Sequence, residues 1–130
     1  MPTAEIFGRS QRGQATVELA LCLPLLAFLV AVLVEVGGLA ADHVRVWHSA
    51  REAARVAVVD PDHDAITEAA TRSGLGSVEV EVEPAPQDRV QGDPLTVRIT
   101  YDRRSSVPLV GKLFDGIVMT ARATMRIEQP

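Results

Sequence analysis

The chain has 130 residues and a formal net charge of −4. This length allows one domain with a small core, and an acidic chain lacks the basic face that nucleic-acid phosphates require, so we expect no nucleic-acid partner. Hydrophobic residues make up 47% of the chain but aromatic residues only 4%, so the core must be aliphatic. The single cysteine, Cys22, cannot form an internal disulfide.

An uncharged apolar run extends from Leu19 to Val34 and resumes after Glu35 as far as Ala41. Counted to Ala41, it has roughly the 20 or so residues that a helix needs to cross a bilayer. Pro24 inside the run predicts a kink, which a membrane helix tolerates better than a soluble one.

Basic residues stand before this run, since Arg9 and Arg12 precede it and Asp42 follows it ahead of Arg45. This asymmetry predicts a cytoplasmic N-terminus and a single-pass protein of the cell membrane. The predicted divisions are a cytoplasmic leader-like segment (1–13), a transmembrane helix (14–41) and an extracytoplasmic α+β domain (42–130).

A cleaved secretory signal is the alternative interpretation of the same segment. The small residues around Gly38-Leu39-Ala40 could form its cleavage site. The apolar run is long for a signal peptide, and Glu35 interrupts its end, so a retained span is favoured.

A glycine and a glutamate, Gly13 and Glu18, stand five residues apart at the head of the run. A carboxylate near the edge of the bilayer costs little, so Glu18 could simply mark the start of the helix. Gly13 is expected just outside the helix, where an extended backbone could enter a protease site. The spacing resembles the processing site of type IV pilins, in which the leader is removed after a glycine and a glutamate becomes the fifth mature residue. Both interpretations remain open at this point.

Processing of that kind would make Gln14 the new N-terminus. Its amino group could then pair with the Glu18 carboxylate of a neighbouring subunit, and a charge pair in a low dielectric is a strong registration device. The resemblance implies a prepilin peptidase as one partner.

Three strings carry the resemblance further: GQATVELALCLPLL from Gly13, HSAREAARVAVV at His48 to Val59, and ATMRIE near the C-terminus. Together they resemble the TadE-like family of minor pilins or pseudopilins of tight-adherence (Flp) pilus systems. Leu19 departs from the Flp-type pattern, which often has an aromatic residue after the glutamate. The resemblance implies a membrane-anchored protein of pilus assembly or related secretion, whose partners are membrane lipid and other pilin or pilus-assembly subunits.

Beyond the span, apolar residues three or four positions apart predict that the same helix continues as an amphipathic spine, from about residue 15 to about residue 59. The predicted stripe consists of Val44, Trp47, Ala50, Ala54, Ala57 and Val58. We expect Trp47 to pack against the sheet. In the outer half of the span, Gly37, Gly38 and Ala41 form a small-residue face that suits helix–helix packing, with lipid exposure as an equal alternative.

A second helix is predicted after Asp60, with Asp60 as its N-cap, Pro61 at its first position and Gly74 at its close. The aspartates here, together with His63, could suggest a metal site. They lack the ligand order of a calcium loop, and helix capping explains them without metal.

Three segments of alternating polarity predict a three-stranded antiparallel sheet, which lies on the long helix in an α+β fold. They are Ser77–Glu83, Leu95–Asp102 and Ile117–Ile127. Glutamates and arginines on their wet faces suit cross-strand pairing. The segment 107–114 is unusually apolar for a loop, and we expect it to fold back over its own core rather than dock another subunit.

The sequence shows no arrangement typical of a catalytic or cofactor site. His43, His48 and His63 lack metalloprotease spacing, and no serine or cysteine stands beside a credible base. We therefore expect no enzyme activity, no cofactor and no metal. A structural role in pilus assembly is favoured. The alternatives are a membrane-tethered extracytoplasmic binding or sensing module and a secreted binding domain released near Ala40.

Overall fold

The computed structural model describes residues 8–105 and 107–129. Its elements are helix α1 (Gly8–Ala57), helix α2 (His63–Thr71) and strands β1 (Glu79–Glu83), β2 (Pro94–Arg103) and β3 (Ile117–Arg126). Single 3-10 turns lie at Pro86–Asp88 and Gly111–Leu113. The predicted α+β arrangement of a long helix, a short helix and a three-stranded antiparallel sheet is confirmed.

Helix α1 has 50 residues and is about 75 Å long at a rise of 1.5 Å per residue. It begins at Gly8, so the expectation that Gly13 lies just outside the helix is wrong. Adding a residue to an existing helix costs little compared with starting one, so α1 extends backwards through Gly13. Pro24 also lies inside α1.

One face of α1 becomes buried only from Glu35 onward, whereas no residue from Gly13 to Val34 is buried. Its buried residues are Glu35 and then, from Val46 onward at spacings of three or four, Val46, Ser49, Ala50, Ala53, Ala54 and Ala57. The predicted stripe is therefore partly wrong, because Val44 is 54% and Trp47 41% exposed. The indole Nε1 of Trp47 donates to Nε2 of His43 at 3.2 Å on the outer side of the helix. A face of alanines lets the sheet approach closely, whereas an indole there would hold it away.

Strand β2 lies in the centre of the sheet and is antiparallel to both β1 and β3. Its inward residues are opposite small residues of β3, as in the pairs Val97–Ala123 and Ile99–Ala121. The sheet face toward α1 consists of Leu95, Val97, Ile99, Met119, Ala121 and Ala123, all buried. On the wet face, Nη1 of Arg98 lies 3.1 Å from Oε2 of Glu81, which confirms the expected cross-strand charge pairing.

The head, residues 35–129, has two ends along α1. At its proximal end, where α1 enters, β2 finishes and β3 begins beside Glu35. At its distal end the amide of Glu128 donates to the carbonyl of Val58 at 3.0 Å, and Nη1 of Arg89 donates to the carbonyl of Ala57 at 3.1 Å. These bonds satisfy carbonyls at the C-terminus of α1.

Helix α2 starts two residues later than predicted, at His63 rather than Pro61. Asp62 is the N-cap, and its carboxylate accepts from the amide of Asp64 at 3.2 Å. Asp60 instead accepts from the amide of Asp62 at 2.9 Å, so its carboxylate closes a turn before the helix. The hydroxyl of Ser49, fully buried, donates to the carbonyl of Ala70 at 2.5 Å and joins α2 to α1.

The alanine face of α1 predicts that added volume there is poorly tolerated. Ala53→Leu should lower the free energy of unfolding of the head by about 1–3 kcal/mol, because Ala53 is fully buried in the packed face of α1. The exposed Ala40 is the matched control, and Ala40→Leu should change it by less than about 0.5 kcal/mol. Urea unfolding of the detergent-solubilised chain, followed by circular dichroism, measures both. Equal stability of the two variants would contradict the close packing of the alanine face of α1.

Candidate functional site

The first half of α1 presents apolar side chains on all its sides. Every residue from Gly13 to Val30 is exposed, and the leucines here are 52–74% exposed. A surface this large and apolar is not stable against water and needs lipid or other helices. The helix is long and apolar enough to cross a membrane. This finding is consistent with the predicted single-pass membrane protein.

The residues of the predicted processing motif lie on this uncovered half. Gly13, Gln14 and Glu18 are all exposed, and Nε2 of Gln14 donates to Oε1 of Glu18 at 3.1 Å, one turn along the helix. The peptide bond between Gly13 and Gln14 is part of α1. A peptidase that needs an extended backbone must therefore first unwind this turn. The leader-processing role of Gly13 and Gln14 and the registration role of Glu18 stay predictions.

The three small residues predicted for helix packing have different surroundings. Gly37 and Ala41 are exposed, and a Cβ atom on Gly37 would meet nothing within 4 Å. A Cβ atom on Gly38, in contrast, would lie 2.7 Å from Nη2 of Arg103. Gly38 thus makes room for a side chain of its own head. Gly37 and Ala41 remain candidates for pairing with another helix.

A buried charged cluster joins α1 to the end of β2 at the proximal end of the head. Nη2 of Arg103 lies 2.9 Å from Oε2 of Glu35, and its Nε donates to Oδ2 of Asp42 at 2.9 Å. The side chains of Arg103, Glu35 and Asp42 are only 8%, 1% and 15% exposed. The hydroxyl of Ser105 donates to Oε1 of Glu35. Glu35 and Asp42 are two helical turns apart, so both face the same guanidinium.

Burial alone would lower the pKa of Arg103, because it disfavours the charged guanidinium. The hydrogen bonds and negative charges of Glu35 and Asp42 outweigh burial and raise the pKa of Arg103 above its usual value. The side chain is therefore a permanent cation, and it neutralises acidic groups that would be costly to bury alone.

The sequence contains a signal for this cluster in Glu35 itself. An acidic residue inside an apolar run needs a partner, and Glu35 is such a residue. The sequence does not show which residue is its partner. Arg103 lies 68 positions later and becomes a neighbour only because β2 packs against the helix.

Replacing the buried Arg103 should lower the free energy of unfolding far more than replacing an exposed arginine. Arg103→Met leaves Glu35 buried without its partner, whereas Arg98→Met breaks a solvent-exposed pair worth less than about 1 kcal/mol. We expect Arg103→Met to lower the free energy of unfolding several times more than Arg98→Met. The double variant Glu35→Met with Arg103→Met should recover part of the loss, because no unpaired buried carboxylate remains at position 35. Additive losses in this cycle, measured by urea unfolding, would contradict the coupling of the two side chains.

Residues 13–55 match the family model of TadE-like proteins. The match begins at Gly13 and includes the exposed apolar half of α1. It continues into the second half of the helix, whose buried face contains Glu35 and the alanines. No curated protein and no solved structure matches the chain. The strand segment ATMRIE lies outside the matched residues, so the match concerns the helix. Residues 13–55, which form most of α1, are therefore similar to the TadE-like family. This match confirms the resemblance seen in the sequence.

Proposed function

We propose that the chain is a membrane-anchored minor pilin or pseudopilin that takes part in assembly of a tight-adherence (Flp, type IV-like) pilus or a related secretion process. One observation carries the proposal: a single continuous helix has an uncovered apolar half and a second half that forms the spine of the head, and the TadE-like match runs across both. A TadE-like segment on a helix able to cross a membrane fits a membrane protein associated with the Tad pilus.

In this proposal the lipid-embedded part of α1 ends near Val34. The sequence predicted an end at Ala41, but the head already covers one face of the helix from Glu35. Residues 13–34 span roughly 33 Å at 1.5 Å per residue, close to the thickness of about 30 Å of the hydrocarbon core. Arg9 and Arg12 then lie on the cytoplasmic side and the head lies outside.

Glu18 is the residue that we expect to register the helix against its partners. It lies exposed within the membrane half, and the neutral amide of Gln14 does not compensate its charge. After removal of residues 1–13, the new amino group at Gln14 of a neighbouring subunit could supply the opposite charge. The partners would be other pilins or pilus-assembly subunits, and a prepilin peptidase would act first.

The exposed side of α1 continues as an apolar surface beyond the membrane half. Val36, Ala40, Val44 and Trp47 are exposed at spacings of four, four and three residues, so they follow one side of the helix. Val36 and Val44 are 50% and 54% exposed. A partner helix packed against the span could therefore remain in contact with α1 along the head, which favours a role in assembly.

Processing is tested first at the N-terminus. Mass spectrometry of the membrane-bound protein from its own cells should show a chain that begins at Gln14. Gly13→Ala should leave Met1 in place, because it adds a side chain beside the cleaved bond and stabilises the helix there by about 1 kcal/mol. Gly37→Ala makes the same change at an exposed helix position and should be processed normally. A native protein that keeps Met1 would argue against processing and favour the membrane-tethered binding or sensing module.

The charge of Glu18 is tested by its effect on assembly. Glu18→Gln and Glu18→Leu should both insert in the membrane, because each removes a group that is costly in lipid. Each should reduce the amount of partner subunit co-purified after crosslinking by about tenfold, equivalent to about 1.4 kcal/mol. Glu79→Gln, an exposed carboxylate on β1, is the matched control and should change neither property. Unchanged co-purification in both Glu18 variants would show that the carboxylate does not register the helices.

A further inference from the structure

The loop between β2 and β3, residues 104–105 and 107–116 and here called the proximal loop, presents two leucines to solvent. Leu109 is 92% and Leu113 73% exposed, whereas Val110 between them is 2% exposed. The expectation that this segment folds back over its own core is therefore correct for Val110 and wrong for the two leucines. Two leucines exposed to this degree on one short loop make an apolar patch that is a candidate for a contact outside the head.

The proximal loop lies where α1 leaves the head. The hydroxyl of Ser105 bonds to Glu35, and a Cβ atom on Gly111 would lie 3.6 Å from Oε1 of the same glutamate. Glu35 is the first buried residue after the apolar segment that ends at Val34. The loop is thus anchored at the level on α1 where the proposed lipid layer ends.

The partial burial of two residues in α1 places part of the head below Glu35. Ala31 and Val32, one turn before Glu35 on the same face, are half-buried, although every residue from 13 to 30 and both Leu33 and Val34 are exposed. The proximal loop is the part of the head that is anchored at this point. Ala31 lies about 6 Å along α1 from Glu35 toward the membrane half, so partial burial on this face reaches beyond Glu35.

The backbone of the loop holds Leu109 outward at a conformational cost. Leu109 has a φ of 68°, in the left-handed region that glycine or asparagine occupies easily and leucine does not. The amide of Val110 donates to the carbonyl of Pro108 at 2.8 Å, and that of Gly111 donates to the carbonyl of Val107 at 2.9 Å, so the turn is well defined. A strained leucine at the most exposed point of a turn suggests that its side chain is used.

We infer that the proximal loop is a second membrane contact, in which Leu109 and Leu113 enter the boundary between headgroups and acyl chains beside the span. This inference rests on the proposed single-span topology. The loop is anchored at Glu35, beside the start of the exposed apolar surface of α1, so the same lipid layer can meet both. Two separate contacts hold the head at a fixed tilt on the membrane, which a single flexible attachment would not do.

The charges around the leucines favour contact with lipid in general rather than with an anionic lipid. Arg104 and Lys112 are exposed, and so are Asp102 and Asp115, so the formal charges of these four residues cancel. Lys112 lies between the apolar positions and can extend its ammonium group to the headgroups while its methylene chain lies along the acyl layer. Apolar burial is therefore the driving force of the contact.

Nitroxide labels on the full-length chain in phosphatidylcholine vesicles test this contact. Cysteines are placed singly, in a Cys22→Ser background, as Leu109→Cys, Leu113→Cys and Val90→Cys. Val90 is an equally apolar control, 58% exposed at the distal end of the head. Collision with oxygen, which concentrates in lipid, is compared with collision with a water-soluble nickel chelate. We expect the oxygen-to-nickel ratio at 109 and 113 to be several-fold higher than at 90, and unchanged when phosphatidylglycerol is added.

A label at Leu29→Cys separates failure of this inference from failure of the span. A low oxygen-to-nickel ratio at 29 would overturn the span and the loop contact together. A high ratio at 29 with equal ratios at 109 and 90 would overturn the loop contact alone. Low collision with both reagents at 109 would mean that a protein, such as a second copy of the chain, covers the loop, and this also overturns the lipid contact.

A polar substitution that suits the backbone provides the second variant. Leu109→Asn tolerates the left-handed conformation, so the head should stay folded, as thermal unfolding can verify. A label at Leu113→Cys should then lose several-fold of its oxygen-to-nickel ratio, because the loop no longer carries its most exposed apolar group. An unchanged ratio in this folded variant would show that Leu109 makes no contribution to membrane contact.

Discussion

The guanidinium of Arg103, held between Glu35 and Asp42, determines where the long helix leaves its head. Each of these charges would be costly to bury without the others, so the cluster is stable only when the end of β2 is beside this turn of α1. A shift of the head along the helix by one turn would separate the guanidinium from the carboxylates. The absence of a Cβ atom at Gly38 allows the close approach that this geometry needs. The charged cluster therefore fixes the position of the head along α1.

This constraint divides one helix between two environments. On the C-terminal side of Glu35, alanines at spacings of three and four residues allow the sheet to pack closely on α1. On the N-terminal side of Glu35, the helix has exposed apolar side chains that suit lipid or other helices. Because α1 is continuous through the division, a force applied near Glu18 reaches the head along about 25 Å of helix. A rigid connection of this kind suits a subunit that takes part in assembly through its membrane helix.

The two sides of α1 near the division have different possible partners. The side of Glu35 also carries the half-buried Ala31, and the proximal loop contacts it through the bond from Ser105 to Glu35. The opposite side carries Gly37 and Val44, both exposed, and continues the surface of the membrane half. Lipid contact through the loop and helix contact on the opposite side therefore do not compete for the same surface. The proposed assembly role and the inferred membrane contact can exist together.

The amino-acid sequence alone was sufficient to predict the apolar span, the three strands, the α+β class and the TadE-like resemblance. Each of these depends on order along the chain: an uncharged run, a period of two residues, or a short string beginning at Gly13. The tertiary structure decided how α1 is rotated, so that Trp47 faces outward and Ala53 inward. Apolar residues such as Val44 and Trp47 extend beyond the buried face on this part of the helix, so their spacing predicts a period but not which side meets the sheet.

The tertiary structure also decided which groups meet across long separations. Glu35 required a partner, but only the antiparallel path of β2 brings Arg103 to it. The same holds for Leu109, whose exposure depends on a turn anchored at α1, and for the carboxylate of Asp60, which closes a turn rather than capping α2. Local patterns contain the preferences of single elements. Contacts between distant residues depend on the packing of the whole chain, and that packing is not contained in any one segment.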